Sequence, residues 1–158
     1  MPDSVPVVER MQTLIADWEL TGDRRAIFLN CYVQMTSNML KAVEQGEFHD
    51  PAWVASLVNH FADYYFDALE VYNLGLKPTP RPWLLAFDAT RDARIHMMQH
   101  LLLGINAHIN YDLCFAVEDA LRSEWANLDA FLRKQRYEDH CHVNLVIART
   151  IDAVQDTV

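Results

Sequence analysis

From Arg91 to Val158 the sequence contains no proline, and this constrains the fold more than any short motif does. Proline inside a helix removes a hydrogen bond and clashes with the preceding turn. Its absence leaves the second half of the chain free to form long helices. The apolar residues recur at helical spacing there. On a wheel of about 100° per residue, Met98, Leu101, Leu102, Ile105, Ile109, Leu113 and Ala116 gather into one stripe. The whole chain holds only four glycines and six prolines, too few for a turn-rich β fold. The expectation is an all-α protein, a single-domain bundle of six or seven helices with a long central helix, spanning residues 1–158.

The rest of the chain agrees. Val5 to Leu20 reads as a first amphipathic helix, stopped by Thr21-Gly22-Asp23, with Asp23 offered as a cap for the next. Arg24 to about Gln45 is strongly periodic and ends at Gly46. Asp50-Pro51 is a helix-start signal, an N-cap followed by proline at the first helical position. The third helix is expected to run to about Asn73, and Gly75 to Pro82, with three prolines, is a loop. Trp83 to Asp88 reads as a short helix, Trp125 to Leu132 as another, and Glu138 to Val154 as the last, with Val143, Ile147, Ile151 and Val154 as its stripe.

A formal charge of -9 and no basic cluster argue against a nucleic acid or an anionic membrane surface as partner. The three cysteines, Cys31, Cys114 and Cys141, are scattered, with no disulfide framework and no metal-knuckle spacing. Met1 to Ser4 has no signal-peptide character, and no apolar run approaches the roughly 20 residues of a membrane span. A cytoplasmic location is expected.

Polar residues on the apolar faces carry the functional reading. His108 and Asp112, at i and i+4, flank the central stripe, with Asn106 on its other flank. His140 and Asn144 repeat the i, i+4 pattern on the last helix. If the two helices pack together, these pairs converge on one pocket, and Tyr32 and Tyr65 can supply hydroxyls from two further helices. The alternative is a buried hydrogen-bond network in which Asp112 fixes one histidine tautomer. His96 and His100 have zinc-ligand spacing, but the wheel turns them toward solvent. His60, Asp63 and Asp67 likewise lie opposite the apolar face of their helix. No phosphate-binding glycine loop, nucleophile elbow or His-Glu-x-x-His motif is present, so no nucleotide cofactor is expected.

The stretch Gly104-x-Asn106-Ala107-His108-Ile109-Asn110-x-Asp112-Leu113 resembles the signature of an uncharacterised bacterial family built on a domain of unknown function. Phe48-x-Asp50-Pro51-x-Trp53, Phe61-x-x-x-Tyr65-Phe66-x-Ala68-Leu69, Trp83-x-x-x-Phe87 and Asp139…Val143-Asn144 are similar to its other landmarks. The resemblance covers most of the chain from the second helix onward. It implies an all-helical fold and no known activity, and its matching positions include His108, Asp112 and Asn144.

Three functions compete. One is an enzyme acting on a small, partly apolar molecule, with His108 as general acid/base, Asp112 orienting it, and Asn144, Asn106 and His140 positioning the substrate. A metal version takes His108, Asp112 and His140 as ligands of a divalent ion. The second is a non-catalytic protein holding an apolar metabolite among Trp83, Phe87, Tyr32 and Tyr65. The third is a structural bundle whose polar pairs only fix helix register.

Overall fold

A computed structural model describes residues 6–75 and 77–155, apart from the side chains of 152–155. Val5 and the side chain of Val154, both expected on helical faces, fall outside what is described. Seven α-helices follow one another: α1 (Val7–Thr21), α2 (Arg25–Glu44), α3 (Pro51–Leu74), α4 (Arg81–Ala89), α5 (Met97–Ala107), α6 (Leu113–Arg122) and α7 (Ala130–Gln155). A π-helical turn, His108–Asp112, joins α5 to α6. The helical rod is therefore unbroken from 97 to 122, and counted as one element it makes six helices. No strand occurs among the described residues.

The helix ends follow from local chemistry. Asp50 caps α3, its Oδ1 accepting from the Trp53 N–H at 2.9 Å, with Pro51 in the first turn. Gly22 ends α1 at φ 68°, a left-handed conformation that costs a glycine little. The last helix starts earlier than its apolar pattern suggests. Asp129 Oδ1 accepts from the Leu132 N–H at 2.8 Å, so Phe131 and Leu132 belong to α7 and not to a separate element. The preceding expected helix shrinks to a 3-10 turn, Trp125–Asn127.

Helix α2 touches α1, α3, α5 and α7. Its buried face carries Phe28, Leu29, Tyr32, Thr36 and Met39. One core cluster gathers around Phe28, Tyr65, Trp83 and Phe87; a second, smaller one joins Met39, Phe48, Val54 and Val146.

The π turn decides which face of the 97–122 rod is inside. An α-helical period from His100 leads to Gly104, Ala107, then Tyr111 and Cys114. The buried residues are instead His100, Gly104, Ala107, His108, Asp112 and Ala116. A π turn holds one extra residue, which rotates everything after it by roughly 100°. That rotation puts Asp112 and Ala116 where Tyr111 and Phe115 would otherwise point. The expected stripe is also only half right before the turn: α5 packs on α2 through Gly104 and Ala107, so Met98 and Leu102 are exposed, as is Ile109 within the turn. His100, expected on a solvated face, is buried because it lies one turn before Gly104 on the side packed against α2. His96 is the α5 N-cap, in a reciprocal pair with Gln99.

Gly104 is where α5 and α2 come closest. A Cβ there would lie 2.5 Å from Phe28 Cγ and Cδ2 and 2.9 Å from Phe28 Cβ. Because the Phe28 Cβ is involved, rotating the ring does not relieve the overlap; a helix has to move. Gly104→Ala gains about 1 kcal/mol of helix propensity and loses roughly 1–3 kcal/mol to overpacking. We expect a net destabilisation of up to about 2 kcal/mol by urea denaturation, and a clearly stabilised variant would contradict the close approach.

Candidate functional site

The π turn delivers His108 and Asp112 to the interior, where they are 3% and 1% exposed. His108 Nδ1 lies 3.1 Å from Asp112 Oδ2. The Trp83 indole N–H, from α4, donates to the same Oδ2 at 2.8 Å. An ionised carboxylate offers only acceptors, so Nδ1 carries the hydrogen in this arrangement and Nε2 presents a lone pair. Nε2 is buried and has no hydrogen-bond partner.

Aromatic rings enclose the imidazole. Phe61 stacks on it at 3.6 Å between centroids and an interplanar angle of 7°. Tyr32 meets it edge-on at 4.2 Å, and Phe28 and Trp83 stand about a ring further off. Burial pushes the His108 pKa below its ordinary 6.5, partly offset by the hydrogen bond and charge of Asp112. The ring is therefore neutral at pH 7. Burial, reinforced by the Asp112 charge, also holds the Tyr32 phenol well above its ordinary value.

His108 forms part of the wall of a cavity of about 280 Å³ bounded by α2, α3, the rod 97–122 and α7. The lining is mostly apolar, with Met35, Leu57, Phe61, Ile109, Leu113 and Ile147 among its residues. Tyr32, Thr36, His108, His140 and Asn144 are its main polar members. The Tyr32 and Thr36 hydroxyls are buried within reach of each other and, like His108 Nε2, have no other partner. Cys31 also lines it, its thiol pushed up by burial and so kept protonated.

The expected site residues divide into three groups. His108, His140, Asn144 and Tyr32 line this one cavity. His140 is half-buried and Asn144 exposed, which puts that pair toward the mouth. Asp112, Trp83 and Tyr65 are buried but do not line it. Asp112 and Trp83 stand behind His108 as a hydrogen-bonded support. Tyr65 lines a separate void of about 10 Å³ beside His100, roughly the room of one water. Asn106 faces solvent, its Oδ1 taken by the Asn110 amide at 2.8 Å, because it lies off the face that the π turn carries inward.

The central and last helices are opposite walls of the cavity and do not pack closely; α7 packs chiefly on α2. The metal version does not assemble. Among the described residues no three His, Cys, Asp or Glu side chains are grouped to hold an ion. His108 already spends Nδ1 on Asp112, and His140 stands elsewhere on the cavity wall. Thr36 is the polar lining residue the spacing argument missed. It lies one turn after Tyr32 on the same face of α2, which was the available signal. No described helix is long and apolar enough to cross a membrane.

Comparison with known proteins adds an identity without an activity. Residues 5–158 match the model of a family of unknown function, DUF5995, and the chain belongs to that family. No curated protein and no solved structure matches it.

Proposed function

We propose that this member of the family takes one small, largely apolar molecule into the cavity and acts on it by acid–base chemistry at His108. The observation that carries the proposal is the buried, unpartnered Nε2 at the wall of an apolar cavity, on a ring whose Nδ1 is tied to Asp112. A neutral imidazole can accept a proton from a substrate atom resting against Nε2. Asp112 then stabilises the imidazolium through Nδ1–H, and Trp83 keeps the carboxylate in place. Tyr32 and Thr36 hydroxyls are available to orient a polar substituent, and His140 and Asn144 to contact the outer end. The three cysteines are free, which supports a reducing, cytoplasmic setting.

Binding without turnover is the second reading. It is favoured by a lining that holds two histidines but no Lys, Arg or Ser to stabilise a developing charge. Deuterium exchange separates the two. Apolar metabolite extract incubated in D2O should yield a species that gains deuterium with the wild type and not with His108→Gln. A molecule retained through purification but never labelled would assign the protein to binding alone. If native mass spectrometry finds nothing retained, and no extract component shifts the melting temperature, both readings fall.

A further inference from the structure

The shape and polarity of the cavity say more about its occupant than that it is apolar. Along α2 the lining runs from Phe28 to Met39, and along α7 from His140 to Ile151. At 1.5 Å per residue each wall is roughly 16 Å long. Spread along that length, the cavity's 280 Å³ leaves a mean width of only roughly 5 Å, so the space is a narrow slot about three times as long as it is wide. One end is the aromatic box of Phe28, Tyr32 and Phe61 around His108. The other lies by Met39 and Val54, which cluster with Val146, and opens past His140 and Asn144 at the start of the α7 wall. Between them stand flexible or branched aliphatic side chains such as Met35, Leu57 and Val58.

The polar demands are equally specific. The lining includes no lysine or arginine, so a carboxylate or phosphate at the His108 end would be buried without a counter-charge. His108 donates through Nδ1 to Asp112 and has only an acceptor left at Nε2. The occupant must bring its own donor to that end. For size, a cavity of roughly 150 Å³ admits a six-carbon ring; by proportion this one admits about ten or eleven carbons.

Resting on the reading that the cavity is a ligand site, we infer that its ligand class is an uncharged, unbranched chain of about ten carbons with a terminal hydroxyl, lodged so that the O–H donates to His108 Nε2. The chain fills the slot toward Met39 and Val54. The Tyr32 and Thr36 hydroxyls lie on the α2 wall near the head and can donate to its oxygen.

The test uses 1-decanol, decyl methyl ether, sodium decanoate at pH 8, 1-hexanol and the compact 2-naphthol, with calorimetry and melting curves on the full chain. Decanol should bind most tightly and raise the melting temperature. The ether, which cannot donate, and the decanoate should each bind about tenfold or more weakly, the loss expected when a buried polar group stays unpaired. Val58→Phe, which fills mid-slot without touching His108, should abolish the advantage of decanol over hexanol. His108→Leu should abolish the advantage of decanol over its ether. Decanoate or the ether binding as well as decanol would overturn the hydroxyl assignment. Naphthol binding tightly while decanol is inert would overturn the chain and leave the ligand site standing. Silence from all five, with no molecule retained in native mass spectrometry, would remove the ligand site itself.

Discussion

Asp112→Ala is expected to cost about 3 kcal/mol of stability, since it strands two buried N–H groups at roughly 1–3 kcal/mol each. For a chain of this length that lowers the melting temperature by roughly 6–12 °C. Asp112→Asn should behave differently. Both donors converge on one oxygen, Oδ2, and an amide oxygen with two lone pairs can accept both. The loss should therefore stay below about 1 kcal/mol, close to the net value of one hydrogen bond. What the amide removes is the charge facing the imidazole. His108 is already below its ordinary pKa through burial, and without the carboxylate it falls further. In the wild type, protonation is favoured in the unfolded chain. Stability linked to His108 is thus complete above 6.5 and is lost as pH falls from there to the folded pKa. In the Asn variant that loss continues to lower pH, and any His108-dependent rate falls because the imidazolium has lost its counter-charge. Equal destabilisation by Ala and Asn would show that the negative charge itself holds Trp83 and His108.

The Ala–Asn contrast depends on a geometry the sequence showed only in part. The His108–Asp112 spacing was legible because i, i+4 pairs meet on any helix. The capped start of α3 was legible because Asp50-Pro51 acts locally. The π turn was not. It shifts hydrogen bonds by one residue and leaves no compositional mark, so a regular wheel could not carry the buried face of α5 on to Asp112 and Ala116. Ahead of the turn, the wheel assigned Met98 and Leu102 to the core and His100 to solvent because it followed the large apolar residues, whereas α5 packs on α2 by its Gly104 side. The same shift explains why Asp112, expected on the flank of the stripe, lies at the centre of the buried face. Trp83 illustrates a second limit. Its apolar spacing on α4 said that it was buried, but only the tertiary fold aims its N–H at Asp112 and away from the cavity. His140 and Asn144 were found because they sit on the α7 face that lines the slot, beside Val143 and Ile147.

Asp139 on α7 is the second residue whose loss should be costly, and no periodicity pointed to it. It is 1% exposed, and its two oxygens accept from the backbone N–H groups of His49 and Asp50 at 2.8 and 2.9 Å. These residues lead into α3, so one carboxylate clamps the start of α3 to the last helix. Arg136, one turn earlier, reinforces the junction by donating to Asp50 Oδ2 at 2.8 Å and pairing with Glu124. Hydrogen bonds to a charged group are worth roughly 1.5–3 kcal/mol each, so Asp139→Ala should cost about 3–4 kcal/mol. Asp139→Asn keeps one acceptor and turns an NH2 toward the other N–H, and should cost about 2 kcal/mol. Asp50→Ala, which removes only a helix cap and an exposed-side ion pair, should cost about 1 kcal/mol. The order, with Asp139→Ala worst, Asp139→Asn intermediate and Asp50→Ala mildest, is read from urea midpoints at constant slope. Because His140 follows directly on α7, loosening this clamp should also weaken whatever the cavity holds, whereas Asp50→Ala should not. An Asp139→Ala protein within 1 kcal/mol of the wild type would mean that solvent reaches the two N–H groups and that α7 is held by its apolar face against α2 alone.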